Sequence, residues 1–425
     1  MKCSIKAIPI TPPIGYEMGG YSERLHGALS VHDPLQALIF YTKVANHESA
    51  VISLDVIGVE HEFVQQVRLE AESKLGFPKE GILIQGIHTH SGPAGIRKHP
   101  RVGTIDADEA KRIENELYYE YVIHQLIGLI RWAQESAVEA RLGFKTMEVQ
   151  GIGLNRNNKA LEIDRELGLV RIDDRDGNLL GIVANFSCHP TVMGASNYAF
   201  SADYVGAFRD AVKRFYPGCE VMFIQGASGD ISTRFTRRSS DFTEVKRLGN
   251  LLAGYAIMLA EQIITKEQIQ LNYAIALFDL MVRDYDSDDI MKENLMNEQE
   301  KYKEIQIAGS IEEIRKQYVN LQGIERSIRM KKSLQGIKKF ETEMQYIDYG
   351  CFHFITLPGD VYSKIGIDIK RLKEDTMICG YANDSMGYIV SKQGLEENCY
   401  ESFMMYTDAT SHERIINVAK ALLCI

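Results

Sequence analysis

The spacing of apolar positions changes several times along the chain, and each change marks an element. Residues 37–43 and 50–58 read as strands. From 60 to 75 the period lengthens: Phe63, Val64, Val67, Leu69 and Leu75 suit a helix. Residues 81–87 return to a short apolar run of the buried-strand kind, and a long helix is expected from Ala107 to Ala137. Strands follow near 141–150, 167–174 and 180–187. Asp174-Arg175-Asp176-Gly177-Asn178 joins the last two as a hairpin turn, because it lacks the remaining ligands and closing glutamate of a calcium loop. Residues 203–216 and 243–265 read as helices around a strand at 219–225. Hairpins beside strand–helix alternation predict an α/β fold with mixed β-sheets flanked by helices.

Residues 287–335 have a different texture. Lys, Glu, Gln and Arg dominate, with Ile311, Ile314, Tyr318, Leu321 and Ile328 at helical spacing. Gly309 interrupts the pattern, and Ser310-Ile311-Glu312-Glu313 has the form of a capping box. The expectation is an inserted antiparallel helical hairpin, with a solvated cover as its plain role and a lid or partner site as the alternative. Residues 347–357 then read as a strand, 361–372 as a helix and 411–423 as another. The residues show no internal repeat and no disordered linker.

At 425 residues the chain is long enough for about three domains or one large one. A formal net charge of -10 leaves no general basic footprint, which argues against nucleic acid as a partner. Small acidic substrates remain open, since a local basic cluster can receive them. The seven cysteines include no Cys-x-x-Cys pair, which points to free thiols in a reducing compartment and excludes cysteine zinc knuckles. Met1-Lys2-Cys3-Ser4-Ile5-Lys6 carries no apolar leader, and no apolar run reaches membrane-spanning length. A soluble, cytoplasmic protein is expected.

Chemistry gathers at strand ends. In Gly86-Ile87-His88-Thr89-His90-Ser91-Gly92-Pro93 two histidines at i and i+2 share one face where a buried strand ends. Such a pair suits a divalent metal, zinc above all, or a metal-free hydrogen-bonded pair. Asn185-Phe186-Ser187-Cys188-His189-Pro190-Thr191 ends a second apolar strand in a histidine. In Gln225-Gly226-Ala227-Ser228-Gly229-Asp230-Ile231-Ser232 a strand runs into a small-residue turn. That turn does not meet the Gly-x-Ser-x-Gly nucleophile pattern, because Gly229 comes one place early. The His-Glu-x-x-His helix, the phosphate loop and the dinucleotide fingerprint are absent.

Taken in order, the motifs resemble a known family. Thr11-Pro12-Pro13, Met18-Gly19-Gly20-Tyr21, His88 to Pro93, Asn155-Arg156, Asn185 with His189-Pro190-Thr191, and Gly229-Asp230-Ile231-Ser232 are followed by Pro358-Gly359-Asp360, Asn383 with Tyr388, and Tyr400-Glu401. The series is similar to the catalytic domain of the neutral/alkaline, non-lysosomal ceramidases. The resemblance implies one zinc ion held by His88, His189, Asp360 and Tyr388, with His90, Arg156 and Tyr400 as further polar site residues. It implies hydrolysis of the linear amide of a small-molecule or lipid-like N-acyl substrate by a metal-activated water. Asp230 and Ser232 would orient the ligands, and either Asp360 or His90 would take the water proton.

Two departures from the family pattern bear on this. Asp360 stands where the family has a glutamate. The chain also reads as a short member without the C-terminal immunoglobulin-like domain. The proposed ligands run from 88 to 388, so one catalytic domain over 1–425, with residues 287–335 inserted, replaces the three-domain expectation. The alternatives are a metal-dependent esterase or deacetylase of a small polar metabolite, and a non-catalytic binding protein that keeps the fold. The oligomeric state is left open.

Overall fold

A computed structural model describes residues 1–96 and 109–424. The expected helix start at Ala107 lies outside the described residues. The first 260 residues build one eight-stranded mixed sheet with four helices. Its strands are β1 (Lys2–Pro9), β2 (Gln36–Val44), β3 (His47–Leu54), β4 (Ile82–Gly86), β5 (Val138–Glu148), β6 (Glu166–Asp174), β7 (Leu179–Phe186) and β8 (Glu220–Gln225). They lie in the order β8-β7-β6-β5-β1-β2-β3-β4. The helices are α1 (His61–Leu75), α2 (Glu109–Glu135), α3 (Tyr204–Phe215) and α4 (Phe242–Ala260).

The sheet has two halves with one topology. In each, three antiparallel strands lead through a helix to a fourth strand parallel to the third, and a second helix follows. Between the halves, β1 and β5 pair in register at Lys2–Glu139 and Cys3–Val138. The halves share an apolar cluster in which Leu38, Phe40, Val51 and Leu83 meet Val170, Ile172, Val183, Met222 and Ile224. This corrects the expectation of no internal repeat: the repeat lies in the topology, and the residues that fill it differ.

Alternation along the strands explains the near-continuous apolar runs. Leu38, Phe40, Val51 and Leu83 face the shared core, while Ala37, Ile39, Ile52 and Ile84 pack under α1 and α2. In the other half Val183, Met222 and Ile224 face that core, and Ile182, Val221 and Phe223 pack under α3 and α4. Strands covered on both faces are apolar at nearly every position. The strand expected over 50–58 stops at Leu54. Asp55, whose N–H still bonds Gln36 O at 2.9 Å, forms a buried bidentate pair with Arg209 of α3, at 2.9 and 2.6 Å, which ties the halves together.

A second, four-stranded sheet closes the central core. It consists of β9 (Asn272–Met281), β10 (Lys339–Asp348), β11 (His353–Thr356) and β12 (Thr376–Cys379), paired in that order. Ile347, Phe354, Met377 and Cys379 face the shared core. Leu280, Met344, Ile355 and Ile378 face α7 (Ser363–Lys370) and α9 (Ser411–Leu422). The expected strand over 347–357 is therefore two antiparallel strands. A turn divides them, in which Gly350 has φ +80° and Asp348 Oδ1 accepts from its N–H at 2.8 Å.

The charged segment forms α5 (Asp288–Ala308) and α6 (Ile311–Ser333), and Ser310 and Glu313 make the capping box. Helix α6 lies against the short helix α8 (Tyr400–Met404). A β-carbon on Gly323 would stand 3.1 Å from the Tyr400 ring and 3.3 Å from Phe403 Cβ, so any larger residue there makes these side chains shift. Among the described residues no helix is long and apolar enough to cross a membrane.

Candidate metal centre

The ends of β4, β7, β11 and β12 run into turns that deliver His88, His189, Asp360 and Tyr381 to one place. The ring nitrogens of His88, His90 and His189 lie within 4.8 Å of one another, and all three residues are buried. Asp360 Oδ2 lies 3.7 Å from His88 Nε2 and 3.5 Å from His189 Nε2.

Hydrogen bonds fix which ring nitrogens carry protons. A main-chain carbonyl can only accept, so each Nδ1 that meets one must donate. His88 Nδ1 meets Ile57 O at 2.6 Å, and His189 Nδ1 meets Ser228 O at 2.7 Å. Both Nε2 atoms are left unprotonated and both face a carboxylate oxygen, His88 Nε2 also lying 3.3 Å from His90 Nε2. His189 Nε2 is buried without a hydrogen-bond partner among the described residues. Carbonyl-oriented imidazoles converging on a carboxylate are a metal-ligand arrangement, and a divalent cation satisfies all three acceptors at once.

The electrostatics agree. Burial pulls His88 down to about 3, against the pull of Asp360, so its imidazole is neutral. Burial likewise holds His90 well below its ordinary value. Burial alone would raise the Asp360 carboxyl, but His189, His88 and Arg156 outweigh it and keep it ionised.

The backbone is strained to reach this geometry. His88 has φ +65°, a conformation that costs a non-glycine residue roughly 1–2 kcal/mol. Its carbonyl-bonded ring and a stack against Tyr381, with centroids 3.9 Å apart, hold it there. Gly20 lets the chain pass directly over His90, where a β-carbon would come within 2.4 Å of the ring.

A second group of residues adjoins the histidines. Arg156 pairs with Glu401 at 2.5 Å and donates to the Tyr388 hydroxyl at 3.0 Å. Tyr388 lies in register with Asp360 across a short parallel bridge. The Tyr400 ring meets Tyr388 edge-on at 5.9 Å, and Arg326 of α6 donates to the Tyr400 hydroxyl.

Asp230 and Ser232 are turned elsewhere. The Asp230 carboxylate takes Ser363 N at 2.7 Å, Ser363 Oγ at 2.9 Å and Asn155 Nδ2 at 2.9 Å. Its carbonyl accepts from Arg156 N at 2.8 Å, so it fixes the Arg156 turn from behind. Ser232 Oγ takes the Arg234 N–H, and its backbone bridges to His189. Ser228 Oγ shares a hydrogen bond with Tyr381, so neither serine has a histidine base among the described hydrogen bonds.

Sequence reading missed two members. Tyr381 donates to Asp360 Oδ1 at 2.5 Å and stacks on His88, yet nothing in its local pattern marks it. Glu401 sits beside Tyr400 in a quoted motif, but its role as the counter-ion of Arg156 depends on tertiary contact.

Comparison with known proteins shows what the chain is similar to. Residues 8–214 match the model of the neutral/alkaline non-lysosomal ceramidase N-terminal region. The match covers 207 residues, just under half of the chain. Neutral ceramidase A of Dictyostelium discoideum is 24% identical over 212 residues, covering 46% of this chain and 28% of that protein. Neutral ceramidase 2 of Arabidopsis thaliana is 24% identical over 266 residues, covering 57% of this chain and 34% of that protein. The matches thus span about a third or less of these relatives' own length. The crystal structure of neutral ceramidase from Pseudomonas aeruginosa superimposes with a TM-score of 0.75 at 16% identity, over 99% of this chain and 73% of that one. A ceramidase complexed with C2 gives 0.73 at 14% identity. The ceramidase fold therefore extends across the chain, including the part beyond residue 214.

Proposed function

We propose that this protein hydrolyses the linear amide of an N-acyl amine, using one zinc ion held by His88, His189, Asp360 and Tyr388. The observation that carries the reading is the convergence of two carbonyl-oriented Nε2 lone pairs on the Asp360 carboxylate. The named relatives are neutral ceramidases, which supports amide chemistry of that class. The ion's contribution is activation of a water for attack on an acyl carbonyl.

The chain's own groups supply the rest. Arg156 is fixed by Glu401, by Gly229 O at 2.6 Å and by Tyr388, so its guanidinium is pre-aimed. Together with Tyr400 and His90 it offers donors to the developing oxyanion, where one donor is worth about 3–4 kcal/mol. Asp360 is ionised and His90 is neutral, so either can take the proton of the attacking water. Asp230, through Ser363, Asn155 and the Arg156 main chain, keeps the Arg156 turn in place.

The test is hydrolysis of a series of N-acyl ethanolamines of increasing chain length, before and after removal of metal with a chelator. Turnover that disappears with the metal and returns with zinc is expected. Turnover indifferent to chelation, or confined to small esters, would overturn the reading.

A further inference from the structure

The arginines around the centre are compensated unevenly. Arg156 has its carboxylate in Glu401. Three others end on main-chain carbonyls instead. Arg24 donates to Gly19 O at 2.5 Å and Asn197 O at 3.1 Å, while its Nη2 is buried without a partner among the described residues. Arg237 donates to Thr191 O and to Val192 O at 3.3 Å. Arg234 donates to Arg156 O at 3.2 Å. Among the described residues none of the three forms an ion pair.

All three stand at the centre's edge. The Arg24 guanidinium lies 5.0 Å over the Tyr21 ring, and that ring meets His90 edge-on at 4.9 Å. Arg237 grips the main chain two residues beyond His189, and Arg234 grips that of Arg156. Burial, then the Asp203 carboxylate, push the Tyr21 hydroxyl up to about 12, and Arg237, Arg24 and Arg156 oppose them. Burial, then Arg156, push Arg234 below the usual arginine value; Glu401 opposes, and Arg315 and Arg237 add to the push. Phe235, next to Arg234 in the chain, lines a cavity of about 550 Å³ with Asn157, Lys159, Lys316 and Glu397, among others; the three arginines are not in its lining, and Asn157 donates to Glu401 at 2.9 Å.

A chain with a net charge of -10 has thus gathered, at one site, three arginines that form no ion pair among the described residues; Asp203, Glu401 and Glu23 act here only from farther off. Crowded guanidinium groups in partial burial repel one another, and a bound anion relieves that repulsion. A neutral amide does not need it, since Arg156, His90 and Tyr400 already serve the reacting carbonyl. We propose that the substrate is an N-acyl amine carrying a negatively charged substituent, received by Arg24, Arg234 and Arg237. This rests on the amide-hydrolysis reading above and narrows it.

Three matched amides test the idea on the zinc-loaded protein: N-dodecanoylglycine, N-dodecanoylethanolamine, and the mono-ethanolamide of dodecanedioic acid. The first and third carry a carboxylate at opposite ends, and the second is neutral. At least one anionic amide should exceed the neutral one by about tenfold or more in kcat/KM, the scale of one charge-assisted contact. That preference should shrink with added salt. In the R234Q/R237Q double variant it should fall to near unity. Equal or better turnover of the neutral amide would overturn the proposal and leave the amidase reading standing. A preference that survives in the folded variant would overturn the assignment to these arginines. Hydrolysis of none of the three would remove the amidase reading and the proposal with it. If the variant does not fold, the salt dependence of the wild-type preference decides.

Discussion

The two halves of the large sheet follow the same order of strands and helices, yet they spend equivalent positions differently. After its third strand the first half has Asp55, which is used up in a buried pair with Arg209. The second half, after its third strand, has His189, whose Nε2 is left without a hydrogen-bond partner. After the fourth strand the first half supplies His88 and His90, and the second supplies the Ser228–Asp230 turn, whose carbonyl orients His189. One topology is thus used once to fasten the halves and once to build a site. Each half brings candidate ligands that the other lacks, and Asp360 comes from the short bridge that follows a strand of the second sheet.

The comparison can be broken at several points. The largest effect is expected from Asp55→Ala, which strands Arg209 without its partner. Urea denaturation should show a loss of about 3–5 kcal/mol, because an uncompensated buried charge remains. A value near zero would mean that the halves are held by the apolar core alone. Next comes Gly20→Ala, whose β-carbon would displace the His90 ring. It should lower metal affinity or kcat by roughly 10–100-fold, the usual cost of disturbing a group that supports a metal site, and because Gly20 has φ +91° it should also lower the denaturation midpoint.

The hairpin should respond more weakly. Gly323→Val wedges α6 away from α8, and overpacking of this kind costs about 1–3 kcal/mol. Because Arg326 then loses Tyr400, activity should fall further than stability explains. Ser310→Ala removes the capping box at a cost of about 1 kcal/mol, read as a shift in thermal midpoint. Lys331→Ala breaks the surface pair with Asp288 and a hydrogen bond to Asp286 O, and it should move the thermal midpoint least of all. A hairpin change that matched Asp55→Ala would erase the contrast between core and cover.

Much of this was legible in the sequence, for identifiable reasons. Strands covered on both faces announce themselves as apolar runs, so β2, β3, β4, β7 and β8 were visible. Ser310 to Glu313 marked the start of α6 directly. The edge strand β9 was missed because most of its residues are partly or fully exposed and its apolar positions make no continuous run. The histidines stood out because each follows a buried strand. Tyr381 and the partnership of Arg156 with Glu401 did not, since both depend on contacts between elements far apart in the chain. The twofold topology also stayed hidden, because it constrains burial and not residue identity.

The central claim is that ligands from both halves and from the short bridge hold a single zinc ion. Titration of the chelator-stripped protein with zinc, followed by calorimetry, tests it most directly. The account predicts one tight equivalent per chain in the wild type and its loss in the folded His189→Ala protein. No tight binding by the wild type, or an unchanged equivalent in His189→Ala, would contradict it.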